Sequence, residues 1–158
     1  MSEDNSSLAL VTGGNRGIGL AIAQSLSKAG HRVVITYRSG DAPSEFLAVK
    51  MDVTSSESVE TAFAEIEEKW GTPEVIVANA GITKDGLVLR MSDEDFEDVV
   101  SANLTGAFRV ARRATKGLLK LKRGRLIFIG YQRISRRKTF ATCICNNDRN
   151  VRKCHRTQ

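Results

Sequence analysis

The chain has 158 residues, of which 41% are apolar and 27% are charged, and its formal net charge is +6. This size and composition predict one soluble globular domain with a core of its own. No stretch reaches the roughly 18 consecutive apolar residues of a membrane span, and the acidic, serine-rich start lacks the basic and apolar segments of a secretory signal. We therefore expect a cytoplasmic protein without a membrane segment.

The positive charge is concentrated at one end of the chain. Residues 131–158 contain eight basic side chains and one acidic side chain, whereas residues 1–130 contain 16 basic and 17 acidic side chains. The three cysteines, Cys143, Cys145 and Cys154, also lie in 131–158, and an odd number in a cytoplasmic chain argues against a disulfide framework. The sequence predicts a near-neutral domain over 1–130 and a basic, irregular tail over 131–158.

Apolar runs and helical patterns alternate along the near-neutral domain. Gly30 follows the first helical pattern as a C-terminal cap would, and only Thr105 and Gly106 interrupt the last one. Alternation of nearly continuous apolar strands with helices is typical of a parallel sheet that is covered on both faces. We expect an α/β fold with a doubly wound, Rossmann-like parallel sheet in the strand order 3-2-1-4-5, truncated after the fifth strand. The predicted strands are 8–12, 32–37, 47–53, 75–81 and 125–130, and the predicted helices are about 18–29, 55–70 and 93–121.

A glycine-rich turn over residues 12–19, here called the glycine turn, follows the first strand. Gly13 permits a tight turn, Gly17 lets the backbone approach a diphosphate, and Gly19 lets the next helix pack against the sheet. Free amide groups at the start of that helix favour an anion. Such a turn can also be purely structural, but the flanking strand and helix favour dinucleotide binding. The candidate binding residues of the turn are Gly13, Asn15, Arg16, Gly17, Ile18 and Gly19.

The end of the second strand indicates which dinucleotide is preferred. An acidic residue at this position would bind the ribose 2′-hydroxyl of NAD, but the sequence here is Tyr37-Arg38-Ser39. Arg38 and Arg16 both suit a 2′-phosphate. The sequence therefore predicts NADP(H) as the cofactor and Arg38 as one of its binding residues.

Four motifs in this order resemble those of the short-chain dehydrogenase/reductase family. They are Thr12, Gly13, Gly17 and Gly19 as T-G-x-x-x-G-x-G, Asp52-Val53, Asn79-Ala80-Gly81, and Asn103 within a long helix. The stretch 78–130 is similar to the 3-oxoacyl-[acyl-carrier-protein] reductases of fatty-acid biosynthesis, especially those of actinobacteria. The resemblance covers about residues 8–130 and implies a 3-oxoacyl thioester on acyl carrier protein as the substrate.

The resemblance also implies roles for individual residues. Asp52 and Val53 would contact the adenine, and the segment Asn79, Ala80 and Gly81 would support the sheet and line the nicotinamide ribose. Asn103 would be catalytic, because in the family this residue holds a water that links the catalytic lysine to solvent. Without the resemblance, the same residues could be a helix approach, a strand end and a tolerated polar side chain.

The fifth strand lacks the catalytic residues that the resemblance implies. In the family this strand ends in a Ser that binds the substrate carbonyl, and the next helix carries Tyr-x-x-x-Lys, in which the Lys lowers the pKa of the proton-donating Tyr. Here Tyr131 stands at the Ser position, and unbroken family spacing places the Tyr and the Lys on Ile144 and Asp148. Three of four catalytic residues are missing, so we expect this chain to be inactive as a reductase by itself.

The abrupt change of composition at Gly130 suggests that the reading frame shifts there and that 131–158 are an out-of-frame end. The family's remaining strands and helices would then be absent. The fifth strand would become an exposed edge, and the helix over 93–121 would lose a packing neighbour and the dimer contact of its homo-oligomeric relatives.

Two other functions are compatible with the tail. The chain could be a non-catalytic nucleotide-binding module whose tail binds nucleic acid or an acidic partner, but no basic amphipathic helix or aromatic platform accompanies the charges, which favours a solvated tail. A zinc site could use Cys143, Cys145, Cys154 and His155. The single residue between the first two cysteines and the adjacent Cys-His pair fit tetrahedral geometry poorly, so we predict no metal.

Overall fold

The computed structural model describes residues 6–84, 87–134 and 138–146, with the backbone alone described for Val88 and for the residues beyond Gly130. Its strands are β1 (Leu8–Thr12), β2 (Arg32–Tyr37), β3 (Leu47–Lys50), β4 (Val75–Ala78), β5 (Arg125–Ile134) and β6 (Lys138–Asn146). Its α-helices are α1 (Gly17–Lys28), α2 (Ser56–Trp70), α3 (Asp93–Val100) and α4 (Gly106–Leu121). A 3₁₀ turn over Val88–Arg90 precedes α3, and a π-turn over Ser101–Thr105 joins α3 to α4.

The strands form one sheet in the order β3-β2-β1-β4-β5-β6. The first five are parallel, which confirms the predicted order 3-2-1-4-5 and the doubly wound α/β fold. The chain starts in the middle of the sheet, moves outward to β3 and then crosses back to β4. The crossing point lies at the carboxyl end of β1, where folds of this kind form their ligand crevice.

The core lies on both faces of the sheet, because alternate residues of a strand point to opposite sides. Leu8 and Leu10 of β1 pack with α2 and α4, in a cluster that includes Phe63, Ile66 and Val110. Ala9 and Val11 of the same strand pack on the opposite face with α1, where Ala23 is fully buried. Every residue of β1 is buried, as expected for the central strand of a sheet covered on both faces.

The predicted helix over 93–121 is one continuous helical segment with a π-turn in its middle. A buried guanidinium fixes α4 to α2: Arg113 donates to both carboxylate oxygens of Glu67 at 3.0 and 2.7 Å and to Glu60 at 2.8 Å. The outer side of this segment carries exposed apolar side chains, since Phe96, Leu104 and Phe108 are 60%, 68% and 57% exposed.

The structure differs from the sequence prediction after Gly130. We expected an irregular tail and an exposed β5 edge, but β5 continues to Ile134 and β6 pairs with it antiparallel, with Phe128 opposite Ile144. The run Thr139–Cys145 is rich in apolar and β-branched residues, and it supplies partners for the unpaired backbone groups of the β5 edge. Among the residues that the structure describes, no helix is long and apolar enough to span a membrane.

Candidate functional site

The predicted site residues lie where the parallel strands end. β1 ends at Thr12, β2 at Tyr37, β3 at Lys50 and β4 at Ala78, and the register aligns Thr12 with Thr36 and Val11 with Val77. β3 and β4 end three residues earlier than predicted, and residues 51–53 and 79–81 lie in the loops that follow them. The glycine turn and the loops after β2, β3 and β4 therefore lie at the same edge of the sheet.

The glycine turn has the geometry that its spacing predicts. Gly13 and Gly17 adopt positive φ angles of 63° and 56°, a region that favours glycine. A Cβ on Gly19 would overlap the carbonyl oxygen of Gly13 and lie 2.6 Å from Nδ2 of Asn79. Gly19 therefore lets α1 approach the ends of β1 and β4, whereas Gly17 has no atom within 4 Å of an added Cβ and lines open space.

The start of α1 presents free hydrogen-bond donors to this open space. The amide groups of Gly17, Ile18 and Gly19 have no acceptor within the described part of the chain, and the N-cap residue Arg16 makes no side-chain capping bond. The first turn of α1 also carries no acidic residue. Unpaired amides and the helix dipole together favour an anion at this position, and the exposed side chain of Ile18 provides an apolar surface beside it.

The end of β2 lies next to the glycine turn. Nδ2 of Asn15 donates to the backbone carbonyl of Ser39 at 3.1 Å and to that of Asp41 at 3.4 Å. This contact brings the loop that carries Arg38 to the turn that carries Arg16, and both arginines are exposed. Arg16 and Arg38, the two arginines predicted to bind a 2′-phosphate, therefore lie on neighbouring segments.

Asp52 holds the loop after β3 in a fixed shape. Its Oδ1 accepts hydrogen bonds from the amide of Thr54 at 2.8 Å and from the Thr54 hydroxyl at 2.7 Å. Partial burial alone raises the pKa of Asp52, but the bonds from Thr54 and the positive charges of Arg38 and Arg109 outweigh burial, so this pKa lies below its usual value. The carboxylate is therefore ionised at neutral pH, and Val53 beside it is buried.

Thr12 joins the ends of β1 and β4, a role that sequence reasoning missed. Thr12 is only 1% exposed. Its hydroxyl accepts hydrogen bonds from the backbone amides of Asn79 and Ala80, each at 2.9 Å. Nδ2 of Asn79 donates in return to the carbonyls of Thr12 and Gly13 at 3.0 and 3.2 Å. The available signal was a threonine at the end of an otherwise apolar strand. These bonds orient the segment 79–81 beside the glycine turn.

Asn103 lies within the π-turn and contacts the chain just beyond Gly81. Its Oδ1 accepts the amide of Ile82 at 2.8 Å, and its Nδ2 donates to the carbonyl of Ile82 at 2.9 Å. Gly81 is required there, since an added Cβ would lie 2.8 Å from Oδ1 of Asn103. Asn103 therefore fixes the loop after β4, and π-turns are frequent at functional sites.

A second contact fixes the same loop to α3. Nζ of Lys84 lies 2.7 Å from Oδ1 of Asp95 and 2.7 Å from Oδ2 of Asp98. These bonds raise the pKa of Lys84, the one to Asp95 contributing most. The loop after β4 is thus held at Ile82 and again at Lys84.

The three remaining catalytic positions of the family pattern fall on Tyr131, Ile144 and Asp148. Tyr131 lies in β5 and Ile144 in β6, where the described features are those of the backbone, and Asp148 lies outside the described residues. Cys143 and Cys145 lie in β6, while Cys154 and His155 of the alternative zinc site lie outside the described residues. Within the described part of the chain no group of three or more metal-ligating side chains forms.

A cavity of about 380 Å³ lies between α2 and α4, and none of the predicted binding residues borders it. Its lining residues are Ser56, Val59, Glu60, Arg109, Arg112, Arg113 and Lys116. The predicted residues instead surround the open edge of the sheet. At that edge the start of α1 carries amides without acceptors among the described residues, the loop after β3 carries an ionised carboxylate, and Asn103 fixes the loop after β4.

Sequence comparison shows which known proteins this chain is similar to. A family model described as short chain dehydrogenase matches residues 7–133. The 3-oxoacyl-[acyl-carrier-protein] reductase MabA of Mycobacterium tuberculosis (strain ATCC 25618 / H37Rv) is 54% identical over 121 residues, which cover 77% of this chain and 49% of that protein. The 3-oxoacyl-[acyl-carrier-protein] reductase FabG of Escherichia coli (strain K12) is 37% identical over 131 residues, covering 78% of this chain and 54% of that protein. The chain spans about half the length of the curated relatives it matches.

Proposed function

Because this chain belongs to the short-chain dehydrogenase family, we propose that it binds NADP(H) at the carboxyl edge of its sheet. We propose further that it represents the cofactor-binding half of a reductase for 3-oxoacyl thioesters on acyl carrier protein. The second part rests on the names of its relatives, the 3-oxoacyl-[acyl-carrier-protein] reductases MabA and FabG. When bound, the cofactor would supply the hydride for reduction of the carbonyl.

The glycine turn is the observation that carries the proposal. A diphosphate needs close approach to the backbone and donors that are not already used. Gly17 leaves open space where a side chain would stand, and the amides of Gly17, Ile18 and Gly19 lack acceptors within the described residues. These residues fit a diphosphate, with Asn15 holding the turn against the loop after β2.

The remaining predicted residues fit the other parts of a dinucleotide. Arg38 and Arg16 suit a 2′-phosphate, which supports NADP(H) over NAD(H). Asp52 and Val53 suit the adenine, and Asn79, Ala80 and Gly81 suit the nicotinamide ribose. Asn103 acts in this proposal by holding Ile82. The family role of this residue, to hold a water that links the catalytic lysine to solvent, lacks its lysine in this sequence, because Asp148 stands at that position.

We propose that this chain alone does not reduce a 3-oxoacyl thioester. The sequence beyond Gly130 has Tyr131, Ile144 and Asp148 where the family pattern has Ser, Tyr and Lys. The family match ends at residue 133, close to the change in composition at Gly130. This supports a division of the sequence into a family-like part over 1–130 and a different part over 131–158, although β6 of the second part pairs with β5. Translation of the other two reading frames past the Gly130 codon tests the frame-shift hypothesis, and a frame that encodes a Ser followed by Tyr-x-x-x-Lys would support it.

Nucleotide titration of the purified 158-residue chain tests the proposal. We expect enhancement of the fluorescence of NADPH on binding and a weaker response to NADH. Arg38→Met should weaken NADPH binding by about tenfold, which corresponds to about 1.4 kcal/mol and to the loss of one charge-assisted hydrogen bond, and it should leave NADH binding unchanged. Arg112→Met is the control, because Arg112 is an exposed arginine of α4 stacked on Phe108.

The assay for catalysis follows on the same sample. We expect oxidation of NADPH in the presence of a short 3-oxoacyl thioester to stay at the background rate. A folded chain that binds neither dinucleotide would contradict the proposed cofactor site. Turnover above background would contradict the proposed lack of activity and would leave the cofactor site intact.

A further inference from the structure

The helix α4 contacts the loop that is proposed to hold the adenine. Gly106, its first residue, lies so close to Val53 that an added Cβ would be 2.8 Å from Cγ2 and 3.3 Å from the carbonyl oxygen of Val53. The π-turn directly before Gly106 carries Asn103, which fixes the loop after β4. One helical segment therefore touches the loop after β3 and the loop after β4.

Arg109 lies one turn further along α4 and holds the Asp52–Thr54 loop from the same side. Its Nη1 donates to the carbonyl of Val53 at 3.4 Å, and its Nε donates to Oγ of Ser56 at 3.0 Å, at the start of α2. A planar guanidinium can make both bonds at once, which a lysine ammonium does less well. Within the described residues Arg109 has no carboxylate within salt-bridge distance, unlike Arg113 on the same helix.

The charge of Arg109 also acts on Asp52. Two cations face this carboxylate, Arg38 from the end of β2 and Arg109 from α4. The described side-chain hydrogen-bond partners of Asp52 are neutral: Thr54 donates to its carboxylate, and Oγ of Ser58 on α2 accepts a hydrogen bond from its amide at 2.9 Å. Arg109 is therefore placed to influence both the backbone shape and the charge of this loop.

We propose that Arg109 is a positioning residue that holds the Asp52–Thr54 loop in the conformation that receives the adenosine end of the dinucleotide. The inference rests on the proposed function and adds to it a residue on α4 that lies outside the four family motifs. Arg109 itself is not required to touch the ligand. It acts through the carbonyl of Val53 and through the side chain of Ser56.

Binding of two partial ligands tests this inference. The probes are ADP, which carries the adenosine end, and reduced nicotinamide mononucleotide, which carries the other end. In the 158-residue chain we expect Arg109→Met to weaken ADP binding by about tenfold, equivalent to about 1.4 kcal/mol, and to leave binding of the mononucleotide unchanged. Arg109→Lys should recover part of the affinity, and the control Arg112→Met should bind both probes like the unchanged chain.

The titration of Asp52, followed by NMR of its carboxyl carbon in variants shown to be folded, provides a second readout of the charge of Arg109. Arg109→Met should raise the pKa of Asp52, whereas Arg109→Lys should leave it nearly unchanged, because the positive charge is retained. Thermal unfolding identifies a variant that fails to fold. In that case Ser56→Ala, which removes only one of the two acceptors, replaces it and should weaken ADP binding by about threefold.

The outcomes separate this inference from the proposed function. If the unchanged chain binds neither NADPH nor ADP, the proposed function is wrong and the inference falls with it. If it binds both and Arg109→Met binds ADP equally well, the inference alone is wrong. An equal loss for ADP and the mononucleotide would also overturn it, since the effect would then be general.

Discussion

Replacement of Thr12 by valine tests how the two strand ends at the candidate site are joined. Valine has nearly the shape of threonine but lacks the hydroxyl, so the change removes an acceptor without opening a cavity. The Thr12 hydroxyl accepts the amides of Asn79 and Ala80, each at 2.9 Å. The substitution therefore leaves two backbone donors without their acceptor at the crevice of the sheet.

The expected cost follows from these two bonds. An unsatisfied buried donor costs about 1–3 kcal/mol, so two donors would cost about 2–6 kcal/mol. Asn79 and Ala80 are half-buried, and water can replace part of the lost interaction. We therefore expect Thr12→Val to lower the free energy of unfolding by about 2–4 kcal/mol, a large share of a typical margin of about 5–15 kcal/mol.

Urea denaturation measures this loss, and Thr36→Val is the matched control. Thr36 lies opposite Thr12 in the neighbouring strand β2 and is equally buried, at 1% exposure, but the amides of Asn79 and Ala80 donate to Thr12 and not to Thr36. NADPH affinity should fall in Thr12→Val and not in Thr36→Val, because only Thr12 orients the segment that follows β4. Equal loss of stability in the two variants would refute the reasoning.

Three further predictions concern the glycine turn, the helix layer and acid stability. Gly17 and Gly30 have φ angles of 56° and 90° and no atom within 4 Å of an added Cβ, so alanine at either position should cost a similar strain of about 1–2 kcal/mol. Only Gly17→Ala should weaken NADPH binding in a fluorescence titration. Equal weakening by the two variants would contradict a nucleotide site at the glycine turn. Arg113→Met should lower the free energy of unfolding by about 1–3 kcal/mol, and a double-mutant cycle with Glu67→Gln should show coupling of at least about 0.5 kcal/mol, whereas additive losses would show that the pair contributes nothing. The lowered native pKa of Asp52 means that its ionised form stabilises the fold above the unfolded-state pKa of about 3.9 and that this contribution is lost as the pH falls from there through the native value. Asp52→Asn should therefore reduce the fall of the unfolding free energy between about pH 5 and pH 2, and an unchanged acid dependence would disprove this.

The sequence determined most of the fold because the fold depends on local patterns. The apolar runs 8–12 and 32–37 predict β1 and β2 with the bounds that the structure has. Helical periodicity predicts α2 over about 55–70, and the structure begins this helix after its N-cap Ser55, which accepts a hydrogen bond from the amide of Ser58 at 3.2 Å. The glycine spacing likewise predicts the tight turn and the close approach of α1, since only glycine tolerates those conformations and contacts.

Periodicity did not predict where the strands stop or what pairs with the last one. Residues 51–53 and 79–81 continue the runs of apolar or small residues of β3 and β4. However, Asp52 bonds to Thr54 within its own loop and Asn79 bonds to Thr12 of β1, and both segments lie outside the sheet. The pairing of β6 with β5 depends on an edge that exists only once the sheet is assembled.

The sequence by itself therefore determined the parallel α/β sheet, the glycine turn and the positions of the candidate cofactor residues. Only the tertiary structure decided which of them are in contact. The Thr12 hydroxyl accepts hydrogen bonds from amides 67 and 68 residues away, Asn103 accepts the amide hydrogen bond of Ile82, and Arg109 donates to the carbonyl of Val53. The physical reason is that periodicity reports which face of an element is buried, whereas these contacts depend on strand register and on the position of α4 over the sheet. Both are set by packing between segments that are distant in the chain.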